Sequence, residues 1–188
     1  MLDLFSAFGL AGSAGLNAYI PLLLVALAAR FPLNDPLLNL SEPYSVMGSW
    51  WAIGIIAVLL VIEMLVDKIP AVDTVNDVIQ TFVRPAAGAV LFAANANIVN
   101  DVHPLLALGA GLVVAGGVHA VKGVTRPVVT ATTAGTGNWL VSILEDIVAF
   151  FTSILAIFLP ILGVILLALI LFYGIRLYRR RKNRAAFR

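Results

Sequence analysis

The sequence predicts an all-α membrane protein, a polytopic transmembrane helix bundle of about six spans. Hydrophobic residues make up 61% of the chain and charged residues 12%, whereas a soluble domain is about half apolar and a quarter charged. Apolar segments of about 20 residues, long enough to cross a bilayer, recur along the chain. Two short motifs also occur twice, in the same order, in the two halves.

The repeated motifs predict internal symmetry. A Gly-Leu motif rich in small residues and a Pro-x-x-Gly-x-x-Leu-x-Ala motif occupy, in turn, residues 9–18 and 85–93, and again 111–120 and 160–168. Three spans in each half would invert the halves relative to one another, a common plan among transporters. We therefore expect one integral membrane domain with a 3+3 inverted repeat, at about 5–103 and 104–178 of residues 1–188. Chance resemblance is the alternative, because Gly, Leu and Ala are common in membrane helices.

The first half is expected to hold three spans. They are predicted at 7–29, at 49–66, and from Pro85 to a polar end at 95–101. Trp50 and Trp51 begin the second span, as aromatic residues do at the membrane interface. Before Pro85, apolar residues at helical spacing alternate with a polar face, which predicts a short amphipathic helix at the interface.

The second half is expected to hold the remaining spans. The fourth is predicted at 104–121, followed by a loop rich in Thr and Gly at 123–138. Residues 139–175 would form a helix about 55 Å long, nearly twice the bilayer core. Either Pro160 marks a turn between two spans, or the first part lies flat and one span follows.

Basic residues predict the orientation, since Lys and Arg gather in cytoplasmic loops. With six spans, both termini lie in the cytoplasm and only Arg30 lies outside. We therefore expect a multi-pass protein of the inner (plasma) membrane. Seven of the twelve basic residues lie in 176–188, and the basic tail at 179–188 is expected to contact anionic lipid and not nucleic acid.

Acidic residues near the end of the second span are the first candidate site. Glu63 and Asp67 are four residues apart and share a helix face, and ionisable groups in a membrane usually mark a pathway or a pair. One interpretation is a site for a cation or proton, completed by Asp73 or Asp77. The other is charge balance, with Asp67 near the headgroups and Arg84 paired with Asp77.

A basic stripe lies at the end of the fourth span. His119, Lys122 and Arg126 fall on one helix face. One interpretation is that these side chains face an anion or pair with Glu63. The other is that Lys122 and Arg126 extend to the membrane interface. His119 is deeper and is a candidate proton relay.

Two further groups of polar residues complete the candidates. Asn17 and Tyr19 lie in the first span beside Pro21, where a loosened helix could coordinate a solute or ion; close helix packing is the alternative. Glu145 and Asp146 begin the fifth span, where acidic side chains interact favourably with the positive end of the helix dipole.

Motifs of common enzyme classes are absent from the sequence. It has no Gly-x-x-x-x-Gly-Lys-Ser/Thr loop for a nucleotide phosphate, no zinc-binding histidine pair and no Gly-x-Ser-x-Gly elbow. It also has no cysteine, which excludes a thiolate site. We expect a protein that is not an enzyme and has no cofactor, and the sequence leaves open whether a metal binds.

Several of these motifs together resemble a family. The residues are Gly15-Leu16-Asn17-Ala18-Tyr19, Glu63-x-x-x-Asp67-Lys68-Ile69-Pro70-x-x-Asp73-x-x-x-Asp77, Arg84-Pro85-x-x-Gly88, His119-x-x-Lys122-x-x-x-Arg126 and Ser142-x-x-Glu145-Asp146. The pattern resembles the bacterial domain of unknown function 4126 over nearly the whole chain. The resemblance implies a small polytopic inner-membrane protein and supplies no activity.

We expect a secondary transporter or channel for a small ion or solute, because buried charges and an inverted repeat are typical of transporters. The acidic excess outside the tail favours a cation or a proton-coupled solute. The alternative is a non-transporting structural or lipid-binding membrane protein that acts in an assembly. A homo-oligomer is compatible with the sequence.

Overall fold

The computed structural model describes residues 2–66, 70–94, 103–133 and 137–162, and beyond these 165–166, 168–169, 172–173 and 176; the side chains of 2–3, 70–75, 77, 127–128 and 130 are not described. The described residues form α1 (Leu2–Leu16), α2 (Tyr19–Ala28), α3 (Trp50–Val66), α4 (Pro70–Ala93), α5 (Pro104–Thr133) and α6 (Asn138–Phe158), with a 3-10 helix at Tyr44–Gly48. The predicted all-α fold is confirmed for these residues.

The chain leaves helical geometry at Asn17, between α1 and α2, for two local reasons. Pro21 has no N–H, so the Asn17 carbonyl could gain no helical partner there. The Asn17 side chain takes over as acceptor, since its Oδ1 receives hydrogen bonds from the amides of Tyr19 (3.0 Å) and Ile20 (3.1 Å). In an unbroken helix the Ile20 amide would donate to the Leu16 carbonyl. The break therefore frees that carbonyl.

Helix α1 descends through the bundle antiparallel to α6. Ser6 Oγ donates to Ala156 O (2.6 Å), and Asn17 Nδ2 donates to Asp146 Oδ1 (2.9 Å). Moving along α1 thus means moving backwards along α6. We call the end of the bundle that holds the start of α1 and the end of α6 the upper end.

Helix α2 returns to the upper end. Its first residue, Tyr19, lies near Glu63 late in α3, whereas Arg30, just after α2, stacks on Trp50 at the start of α3 (5.1 Å). The loop after α2 then meets the top of α4, where the Ser41 amide donates to Ala94 O (3.1 Å). Helices α1 and α2 are therefore the arms of a hairpin whose tip is Asn17–Ala18.

The prediction of one continuous first span over 7–29 is wrong, because the break at Asn17 turns the chain back. The remaining helices alternate in direction: α3 and α5 run down, and α4 and α6 run up. The lower end holds the end of α3, the start of α4, the end of α5 and the start of α6.

Three predicted boundaries are corrected. The predicted interfacial helix and third span are one helix, α4, which contains Pro85; proline is tolerated within a helix when neighbouring helices satisfy the freed carbonyl. The predicted loop at 123–138 is helical as far as Thr133. The long apolar segment is interrupted at Leu159, where φ is −139° and ψ is 65°. The predicted second span agrees closely with α3.

Apolar side chains cover the outside of the bundle and polar ones fill part of its interior. On α4, Phe82 is 75% exposed whereas Gln80 and Arg84 are at most 1% exposed. On α3, Ile53 and Glu63 are the buried residues, and most of the others are exposed. A soluble protein shows the opposite pattern. Large contiguous apolar surfaces indicate contact with lipid or another protein.

Helix lengths agree with the predicted membrane protein. Among the described residues, α5 and α6 are long and apolar enough to span a membrane. Shorter apolar helices cover Leu4–Leu16, Tyr19–Ala28, Trp50–Val66 and Val78–Ala93.

Helices α1, α4 and α5 approach closely at three glycines. A methyl group added to Gly88 would overlap Ala115 Cβ and lie 2.9 Å from Gly111 O. One added to Gly15 would lie 2.5 Å from Ala115 O. Small residues at such crossings let backbones pack directly.

Single cysteines at Leu4, Asn34 and Thr132 test the hairpin, and the native chain has no cysteine to interfere. The hairpin places positions 4 and 34 at the upper end and position 132 at the lower end. In sealed vesicles we expect an impermeant maleimide to label 4 and 34 from one side and 132 from the other. Labelling of 4 and 34 from opposite sides would show a continuous span.

Alanine at Gly88 tests the α4–α5 crossing. We expect Gly88→Ala to destabilise the protein by about 2 kcal/mol, the usual cost of overpacking. Gly117→Ala is the matched control on α5, because a Cβ there meets nothing within 4 Å, and alanine favours the helix by about 1 kcal/mol. Unfolding in detergent measures both. Equal effects at the two positions would rule out the tight crossing.

Candidate functional site

Polar side chains from five helices and the hairpin tip meet inside the lower half of the bundle. We call this set the polar cluster; it comprises Asn17, Tyr19, Glu63, Gln80, Arg84, His119, Lys122, Arg126, Ser142, Glu145 and Asp146. Groups of this kind are rare away from water and are normally paired. The cluster therefore has to satisfy its own charges.

One branch of the cluster joins α3, α4 and α5. Arg84 Nη2 donates to Glu63 Oε1 (3.1 Å), and both side chains are 1% exposed. Arg84 Nη1 lies 3.4 Å from His119 Nδ1, and Thr81 Oγ1 lies 3.2 Å from His119 Nε2. Because arginine only donates, Nδ1 is the acceptor in its contact with Arg84.

A second branch joins α5, α6 and the hairpin. Lys122 Nζ lies 2.8 Å from Glu145 Oε2 and donates to the freed Leu16 carbonyl (3.2 Å). Arg126 Nη2 lies 3.4 Å from the same Glu145 oxygen and donates to Ser142 Oγ (2.5 Å). One carboxylate thus holds two buried cations. Arg84 lies close enough to Lys122 to act on its charge, which links the two branches.

Serines extend the polar contacts up the α1–α6 interface. Ser13 Oγ donates to Ala149 O (2.7 Å), and Ser13 and Ser153 share a hydrogen bond (2.7 Å). Together with the Ser6 and Asn17 contacts, these bonds fix the register of α1 against α6. Such interhelical bonds are each worth about 0.6 kcal/mol in membranes.

Sequence reasoning did not select Gln80 as a site residue. Its side chain is 1% exposed, its Oε1 has no hydrogen-bond partner among the described residues, and it lies beside the Tyr19 hydroxyl. The available signal was its position, one helical turn before Arg84 on the polar face of α4.

The structure brings most of the predicted site residues together. Glu63, Asn17, His119 and Tyr19 all lie in the cluster, as do Arg84, Lys122, Arg126, Glu145 and Asp146. Asp67 lies outside the described residues, and the side chains of Asp73 and Asp77 are likewise not described. The predicted Arg84–Asp77 pair is therefore untested.

Three interpretations of these residues are corrected. Glu63 forms its ion pair with Arg84, whereas Lys122 and Arg126 form theirs with Glu145. Lys122 does not extend to the interface, since its side chain is 3% exposed. Glu145 and Asp146 do not interact with the positive end of the α6 helix dipole, because the first turn of α6 contains no acidic residue.

The described charges of the cluster balance. Three cations (Arg84, Lys122 and Arg126) face three carboxylates (Glu63, Glu145 and Asp146), with His119 left out of the count. Among the described residues no group of three or more His, Cys, Asp and Glu side chains is placed to hold a metal ion. The arrangement suits proton exchange and hydrogen bonding to a small polar solute.

Residues 4–180 match the family described as a domain of unknown function (DUF4126). The chain belongs to this family. No curated protein and no solved structure matches the chain. The motifs that suggested the family include Asn17, Glu63, Arg84, Lys122 and Glu145, which are all members of the polar cluster.

Removing one partner of the Glu63–Arg84 pair leaves the other charge buried. We therefore expect Glu63→Met and Arg84→Met each to destabilise the protein by about 3–5 kcal/mol. The double variant removes both charges and replaces them with apolar groups, so its loss should be well below the sum of the two. Denaturant unfolding of the four proteins gives the coupling energy. Additive losses would mean that the two side chains do not stabilise each other.

Proposed function

We propose that the protein is a multi-pass membrane transporter or channel that moves a small solute or ion with the help of protons. The observation that carries the proposal is the hairpin tip: a break in the backbone lies among buried ionisable groups. Broken helices and free carbonyls at membrane depth occur where they are buried in protein or line a pathway. Ionisable groups at that depth are functional candidates by default.

The hairpin changes the proposed topology. It leaves α3 to α6 as crossing helices, and the segment after Pro160 would add a fifth crossing and take the basic tail to the lower end. Lys68 and the tail would then share the cytoplasmic side, as the bias of basic residues requires, with Arg30 and the N-terminus outside. This N-out arrangement in the inner membrane replaces six spans with both termini inside.

The 3+3 inverted repeat remains a prediction, and one observation weighs against it. Gly15 packs against the α5 backbone, whereas a methyl group added to its counterpart, Gly117, would meet nothing within 4 Å. Equivalent positions of two repeats would be expected to share such an environment.

A proton suits the cluster better than a free metal cation. Arg84 already occupies Glu63 Oε1, and its positive charge would repel a second cation there. A proton that binds Glu63 would instead cancel the carboxylate and release Arg84. That exchange changes an interhelical contact between α3 and α4, which is the kind of event that shifts a bundle between two arrangements. Asn17 and His119 would line the path.

The equality of opposite charges among the described residues of the cluster favours a second candidate, a structural membrane protein that acts in an assembly. In a network of paired charges, specifying how the helices pack can be the sole role of the charged groups. In that case neutral replacement of the pair would leave every function unchanged so long as the bundle folds.

Proton uptake by proteoliposomes tests the proposal, read with a pH-sensitive dye trapped inside while gradients of Na⁺, K⁺, sugars and amino acids are imposed. We expect the wild type to move protons under at least one gradient. The Glu63→Met, Arg84→Met variant should fold yet lose at least about tenfold in rate, about 1.4 kcal/mol. Gly117→Ala should keep the wild-type rate.

Two results would contradict the proposal. A folded double variant with the wild-type rate would remove Glu63 from the mechanism. A wild type that is silent under every gradient would favour the structural candidate.

A further inference from the structure

The ammonium of Lys122 lies where the backbone is broken. It lies between the Leu16 carbonyl (3.2 Å) and Glu145 Oε2 (2.8 Å), with its side chain 3% exposed. The Leu16 carbonyl is available because the Ile20 amide donates to Asn17 Oδ1 instead. It also lies at the C-terminus of α1, the negative end of the helix dipole.

A carbonyl and a carboxylate at the end of a broken helix form the kind of oxygen site that binds a monovalent cation. Here the chain supplies the cation itself. The positive charge of Lys122 therefore does what a bound ion would do: it holds the tip of the hairpin against α5 and α6.

Arg84, Glu145 and Arg126 lie close enough to Lys122 to act on its charge, and other titratable groups lie elsewhere in the polar cluster. Arg84 on α4 and Arg126 on α5 do not lose their protons in proteins. Glu63 on α3, Tyr19 on α2, His119 on α5 and Asp146 on α6 can titrate, but none of them donates to the freed carbonyl of the tip. Lys122 both carries a removable proton and donates a hydrogen bond to the carbonyl that the break in the helix frees.

We infer that Lys122 is the proton-carrying group of the hairpin tip. The tip is held against α5 and α6 while Lys122 is an ammonium, and it is released when Lys122 becomes an amine. The inference rests on the proposed function and adds to it a second proton-binding group beside Glu63. In the step, the N–H bond of Lys122 breaks and water accepts the proton. The Leu16 carbonyl then loses its charged donor, while Glu145 keeps Arg126 at 3.4 Å. The described charge of the cluster falls from zero to −1, because one cation is lost.

A cysteine at Ala18 reports whether the tip opens. Ala18 is 0% exposed, and the chain has no other thiol. We would measure maleimide labelling in detergent between about pH 7 and about pH 10, which covers the approach to the usual lysine titration. Dividing each rate by that of the unfolded protein at the same pH removes the titration of the thiol itself. We expect the corrected rate to rise at least about tenfold, about 1.4 kcal/mol.

Two substitutions fix the charge of the group. Lys122→Arg stays protonated, so labelling should be slow at every pH. Lys122→Met has no charge, so labelling should be fast at every pH. Tyr19→Phe is the matched control, because it removes the neighbouring titratable hydroxyl and should keep the wild-type profile.

The inference is overturned if Lys122→Met keeps the wild-type pH profile, or if the wild type shows no rise. If Lys122→Arg does not fold, the comparison of wild type with Lys122→Met still decides. A rise that disappears in Tyr19→Phe assigns the titration to Tyr19 and overturns it as well. The experiment needs no flux, so its failure is distinct from a failure of the transport proposal.

Discussion

The structure depends on how the broken backbone at Asn17 is satisfied inside the bundle. An unpaired backbone group away from water costs several kcal/mol. Two side chains remove that cost. The side-chain oxygen of Asn17 accepts hydrogen bonds from the first backbone amides of α2, and the Lys122 ammonium donates to the freed carbonyl at the end of α1. The hairpin tip can lie among helices because these two partners are present.

The rest of the polar cluster follows from that solution. A buried ammonium needs a carboxylate, which Glu145 provides; the carboxylate also pairs with Arg126. Asp146, the next residue, binds the Asn17 side chain and fixes the tip against α6. Among the described residues of the cluster, three cations face three carboxylates, while apolar side chains face outwards. The result is a bundle whose specificity comes from polar pairing and close glycine contacts.

The sequence allowed the helix class, the position of helix α3 and most members of the cluster to be predicted. Composition and apolar length decide the first two, because both are local properties. Glu63, Lys122 and Arg126 stood out since ionisable residues in apolar segments are rare. Their partners did not, because pairing across helices depends on packing. A pair of Glu63 with the basic stripe was one of the alternatives, and Glu63 lies against Arg84 instead.

The hairpin was not predictable from hydropathy, because its two arms form one apolar segment of ordinary span length. The Asn17 and Pro21 pair gave a signal of a loosened helix, but the reversal depends on contacts with α3 and α6. Similarly, Pro85 suggested the start of a helix and lies within α4. In both places tertiary contacts override a local rule.

The distance between spin labels at Leu4 and Ser45 tests the hairpin most directly. Both positions are exposed at the upper end, where Phe8 packs edge-on to Phe92 at 5.0 Å and Tyr44 packs against the same cluster. The hairpin predicts a separation below about 25 Å, less than the roughly 30 Å thickness of the bilayer core. A separation above about 35 Å, as two arms in line would give at 1.5 Å per residue, would contradict it.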